Sequence, residues 1–114
     1  MTLDHIREYC LKKKFVTEEF PFDEETLVFK VMGKMFLLTN LNPPLSINIK
    51  CDPETAIDLR ERYAAVLPGY HMNKKHWNTV EIDGTISPKL IFQWIDDSYE
   101  LVVQSLPKVK REKM

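Results

Sequence analysis

The chain has 114 residues, 44% hydrophobic and 29% charged, with a formal net charge of −1. That is enough for one domain (1–114) with a real core, and too apolar and too evenly charged for a disordered chain. No apolar run reaches the roughly 20 residues that span a bilayer, and 1–5 lack the basic-then-apolar pattern of a secretory leader, so a cytoplasmic protein with no membrane segment is expected.

Leu3, Ile6 and Cys10, with Tyr9 beside them, recur at helical spacing, and Thr2 is a candidate N-cap. Lys12, Lys13 and Lys14 have the right sign for the C-terminal turn, so the first helix is expected over 3–14 with its lysines in solvent. Residues 15–25 read as a connector whose Phe20-Pro21-Phe22 plugs one edge of the core. A strand follows over 26–31, with Leu27, Phe29 and Val31 on one face and Thr26, Val28 and Lys30 on the other. Gly33 marks a hairpin turn at 32–34, and a second strand runs over 35–41. After Asn42-Pro43-Pro44, the stretch 45–50 alternates aliphatic and polar, one face buried and one wet.

Asp52-Pro53-Glu54 is a helix start, with an Asp cap and Pro at the first helical position. The helix is expected over 53–65, burying Ala56, Ile57, Leu59 and Tyr63, and Pro68-Gly69 stops it. Residues 70–72 form a short strand, 73–75 turn, and 77–82 make the next strand with Val80 and Ile82 inward. Asp83-Gly84 is a turn, and Ser87-Pro88 opens a last helix on Ile91, Trp94, Ile95, Ser98, Leu101 and Val102 that ends before Pro107. Residues 107–114 are expected to fray. The order α-β-β-β-α-β-β-α with hairpin connections predicts an α+β domain of two layers, an antiparallel sheet with helices on one face.

Cys10 and Cys51 lie in different elements and fit reduced core thiols. His71 and His76 are five apart, a spacing of no common zinc motif, so no metal and no cofactor are expected. Three scattered glycines make no phosphate loop and no serine sits in a nucleophile elbow, so no catalytic residue can be named and the chain reads as a non-enzyme. Charge is unevenly placed. Windows 26–51 and 62–80 hold six basic residues and no acid, while all 17 Asp and Glu lie elsewhere. Depletion of acids in strands accounts for part of this, although Lys is depleted there too.

Phe20-Pro21-Phe22, Val28-Phe29-Lys30-Val31, Gly33-Lys34-Met35-Phe36, Lys50 before Pro53-Glu54, Leu59-Arg60 and Ser98-Tyr99-Glu100-Leu101-Val102 resemble the MmcQ/YjbR family. So does the dense block Pro68-Gly69-Tyr70-His71-Met72-Asn73-Lys74-Lys75-His76-Trp77-Asn78-Thr79-Val80. The resemblance covers nearly the whole chain. It implies a fold grouped with CyaY-like and secretion-chaperone-like domains, and DNA binding through paired β wings. The residues expected to contact DNA are Lys30, Lys34, Lys50, Lys74, Lys75, His76 and Trp77, with lysines on phosphates. Trp77 is either an exposed base-stacking platform or a cap on the apolar edge, and Lys74-Lys75 either a phosphate contact or an ordinary polar hairpin tip. The alternative partner is a protein or small ligand, as for the fold's chaperone relatives.

Overall fold

The three longer helices each begin at a side chain that satisfies their first free amides. In the computed structural model, which describes residues 1–69 and 72–114, the hydroxyl of Thr2 accepts from His5 N at the start of α1 (Leu3–Leu11). Asp52 accepts from Thr55 N at the start of α2 (Pro53–Arg62), and Ser87 from Leu90 N at the start of α3 (Pro88–Gln104). These are the three expected caps. The strands are β1 (Val16–Glu19), β2 (Thr26–Val31), β3 (Lys34–Asn40), β4 (Ser46–Lys50), β5 (Val66–Pro68) and β6 (Trp77–Glu81), and a short α4 (Lys108–Glu112) closes the chain. Among the described residues they form one antiparallel sheet in the order β1-β2-β3-β4-β6-β5. Leu27, Phe29, Val31, Ile47, Ile49 and Val80 point to the helical side and pack with Ile6, Ala56, Leu59, Trp94 and Ile95 in the main core. The α+β two-layer fold and its element order stand, with β1 and α4 added.

The differences have local causes. α1 stops at Leu11 rather than at 14: Phe15 takes a positive φ of 60°, and the carbonyl of Lys14 accepts from Tyr99 Oη at 2.7 Å. Lys13 is not left in solvent; it pairs with Asp96 of α3 and lies over the rings of Tyr9 and Tyr99. The expected connector contains β1, whose Val-Thr-Glu-Glu sequence hides its strand character. Its two acids are neutralised across elements, Glu18 by Arg7 of α1 and Glu19 by Lys30 of β2. Phe20 and Phe22 do not plug the core: they are 46% and 63% exposed. α2 ends at Arg62 because Tyr63 is already extended, and Ile57 faces solvent. The strand that pairs with β6 is therefore Val66–Pro68; the one expected at 70–72 includes Tyr70 and His71, which lie outside the described residues. The expected fraying of 107–114 gives way to α4 across Lys108–Glu112.

Between β2 and β3 the chain turns on Met32 (φ 50°) and Gly33 (φ 87°), the pair of positive φ values that suits a two-residue hairpin. β3 then carries a bulge: Phe29 pairs with Leu37 and Lys30 with Met35, leaving Phe36 as the extra residue. Ser98 of α3, fully buried, resolves the polar consequence. Its hydroxyl donates to Phe36 O at 2.6 Å and accepts from Lys50 N at 2.8 Å. One side chain thus satisfies two backbone groups at the end of the β3–β4 ladder.

Candidate functional site

The register brings the residues of interest to one end of the sheet, with Lys30, Lys50 and Trp77 on the face away from the helices and Lys34, opposite Val31, on the helical side. Lys30 lies at the end of β2, Lys34 at the start of β3, Lys50 at the end of β4 and Trp77 at the start of β6, opposite Lys50. In an antiparallel sheet these positions coincide. The 32–33 turn between β2 and β3 and the 72–76 segment leading into β6 lie at that same end, on either side of β4.

At this end of the sheet a cavity of about 510 Å³ collects Lys30, Lys34 and Lys50 beside Pro21, Phe22 and Met35 and reaches Val102 and Ser105 at the end of α3. Lys30 is ion-paired with Glu19, Lys34 Nζ donates to Ser105 O near the end of α3 at 3.3 Å, and Lys50 makes no ion pair among the described residues. An adjoining cavity of about 670 Å³ also has Phe22 in its wall, with Asp23 beside it, and is lined by Thr26, Asn40, Ser46, Asn48 and Thr79 over Leu38 and Met72. Thr79 Oγ1 donates to Asn48 Oδ1 at 2.6 Å, which steadies both side chains on this face.

The tip of the 72–76 segment is built by Asn73. Its side chain accepts from Lys75 N, and its carbonyl accepts from His76 N and Trp77 N. Arg60 of α2 donates to Lys74 O at 2.7 Å, so the tip is held against α2. Gly69 has no room for a side chain: a Cβ would stand 2.9 Å from both Trp77 Cβ and Trp77 O. Lys74 and Lys75 thus share the basic end of the sheet, although neither lines the lysine cavity. His76 is half-buried and its carbonyl accepts from Cys51 N. Trp77 does lie on the open side, but it is only 8% exposed and packs with Val28, Leu38, Met35 and Met72. It caps an apolar patch instead of offering a stacking surface, because Val28 and Leu38 put apolar bulk on a face whose neighbouring strands are polar. The next residue, Asn78, points inward and donates from Nδ2 to Ala56 O at 3.1 Å, tying β6 to α2.

Phe22, expected to plug one edge of the core, is instead an exposed aromatic beside this face. The usable signal lies in Asp23, whose carboxylate accepts from Glu25 N and Thr26 N and is held below the usual range mainly by those two backbone bonds. A turn fixed immediately after Phe22 keeps that residue outside the sheet. The cysteines are poor nucleophiles: burial pushes the Cys10 thiol up to about 12 and the Cys51 thiol to about 11. Tyr9 rises to about 12 through burial and its bond to Asp96. Among the described residues no three His, Cys, Asp or Glu side chains converge on a metal-sized site. No helix of the described residues is long and apolar enough to cross a membrane.

The YjbR family model matches residues 11–101. The chain is 41% identical over 103 residues to YbdF of Escherichia coli O157:H7, covering 90% of this chain and 84% of that one. It is 32% identical over 114 residues to YjbR of Escherichia coli K12, covering 98% and 96%. Both relatives are described as uncharacterized. A Deinococcus radiodurans crystal structure with a DUF419 domain superposes with a TM-score of 0.92 at 41% identity, covering 98% of this chain and 86% of that one. A Pseudomonas syringae crystal structure does so at 0.77 and 28% identity, covering 89% and 98%.

Proposed function

The chain belongs to the YjbR family, and for this member we propose a non-catalytic DNA-binding module that uses the basic end of the open sheet face. One observation carries the reading. The 32–33 turn and the 72–76 segment flank the end of β4, and Lys30, Lys34 and Lys50, drawn from three strands, line a single cavity with Phe22 beside the first of these turns and the end of α3. Phosphate binding needs such convergence, since each contact is individually weak and the sum sets affinity. Lys30 is not lost to Glu19, because a surface ion pair of this kind is worth about 0–1 kcal/mol and yields to a phosphate. Lys74 and Lys75 supply charge from the 72–76 segment. Trp77 supports the face from beneath, and His76 holds the β4–α2 junction through its carbonyl. The net charge of −1 makes binding depend on this local field rather than on the whole molecule.

The test is a salt titration of binding to a labelled DNA by fluorescence anisotropy. Affinity should fall steeply with salt, and Lys34→Gln and Lys50→Gln should each reduce the salt slope by about 1. Absence of binding at low ionic strength, or a slope unchanged in both variants, refutes the reading.

A second reading has its own observation. Between α2 and α3 a groove of about 300 Å³ is lined by Leu59, Trp94 and Leu101 with three acids, Asp52, Asp97 and Glu100, against one base, Lys50, a balance suited to a basic segment of a protein partner. Copurification of such a partner, lost on Asp97→Lys with Glu100→Lys, would favour it.

A further inference from the structure

We propose that the open face takes single-stranded DNA, with an unpaired base stacked on Phe22 and its edge in the cavity over Leu38. The inference rests on the DNA-binding reading and specifies the form of the ligand. Phe22 is 63% exposed and is common to the walls of both cavities, the one lined by Lys30, Lys34 and Lys50 and the one lined by amides and hydroxyls. A strand laid across it would set phosphates on the lysines and a base on the far side of the ring.

The second cavity, at about 670 Å³, is lined by the hydroxyls and amides of Thr26, Asn40, Ser46, Asn48 and Thr79 together with Asp23, whose carboxylate accepts from Glu25 N and Thr26 N. Asn48 accepts from Thr79 through Oδ1, which leaves its Nδ2 hydrogens as donors, and the Ser46 hydroxyl adds a donor and an acceptor. Such groups can reach the Watson–Crick edge of a base only when that base is unpaired and splayed from its neighbours; in a duplex that edge is taken up by the pairing partner. An aromatic side chain between lysines and a polar recess is how sequence-tolerant single-strand binders are built, since every base has a face to stack. Trp77 cannot take that role because it is buried, so Phe22 is the stacking residue.

Anisotropy at low salt, with a labelled single strand of about 12 nucleotides and with the duplex of the same sequence, tests this. The single strand should bind at least about tenfold more tightly than the duplex. Phe22→Ala should lose about tenfold on the single strand and leave the duplex unchanged, while Phe22→Trp retains binding. Phe22 is exposed, so circular dichroism of both variants should match the parent. Equal or tighter binding of the duplex, or a neutral Phe22→Ala, overturns the inference and leaves DNA binding standing. Binding of neither form overturns both.

Discussion

Removing the hydroxyl of Ser98 tests how the sheet end that carries Lys50 is held. In Ser98→Ala, the carbonyl of Phe36 and the amide of Lys50 both lose their partner, at 2.6 and 2.8 Å respectively, in a place where Ser98 itself has no exposure. Each buried group left unsatisfied costs about 1–3 kcal/mol. Phe36 is fully buried and should incur most of that, whereas Lys50 is half-buried and its amide can recruit water at part of the cost. The expected loss is about 2–4 kcal/mol, a large share of the roughly 5–15 kcal/mol that such domains possess. Urea denaturation followed by circular dichroism should show a lower midpoint with an unchanged slope, and Tm should fall by about 10–20 °C. The amide of Lys50 should also exchange its hydrogen faster. Ser105→Ala is the control: that hydroxyl donates to Val102 O of its own helix, and its loss should stay within about 0.5 kcal/mol. If Ser98→Ala also stays within that range, the bridge does not stabilise the bulge and the assignment of its role is wrong.

Gly69→Ala should cost about 2 kcal/mol or more, because the new Cβ meets the backbone and Cβ of Trp77 and the hairpin must open; a thermal melt unchanged from the parent would refute the close-approach argument. Asp52 is held below the usual carboxylate range, first by the Thr55 hydroxyl and then by the Thr55 amide, so its contribution is present above the unfolded value near ~3.9 and is lost as pH falls through the folded value. Asp52→Asn keeps the cap without titrating, so the decline in stability below about pH 4 should be shallower in the variant, and parallel acid curves would contradict this. Cys10 and Cys51 should resist a thiol reagent at pH 8 in the folded protein and react at once in urea; prompt labelling of the native chain would show that burial does not hold the thiols protonated.

The features decided by near neighbours were legible in the sequence. Thr2, Asp52 and Ser87 cap helices because each bonds an amide three residues on, and the alternation in 26–31 and 45–50 names the buried face because strand side chains alternate without outside help. The gathering of Lys30, Lys34, Lys50 and the 73–76 tip at one end of the sheet follows from antiparallel hairpins, and so was within reach of the strand order. Other features needed the tertiary structure, because their causes lie far along the chain. β1 reads as a loop until Arg7 and Lys30 neutralise Glu18 and Glu19, and Lys13 reads as solvated until Asp96, 83 positions away, draws it in. The largest reversal concerns the aromatics. Trp77 is buried because Met72 and, from other strands, Val28, Leu38 and Met35 surround it. Phe22 is exposed because the turn fixed by the adjacent Asp23 holds it outside the sheet, a local signal that the Phe-Pro-Phe pattern obscured.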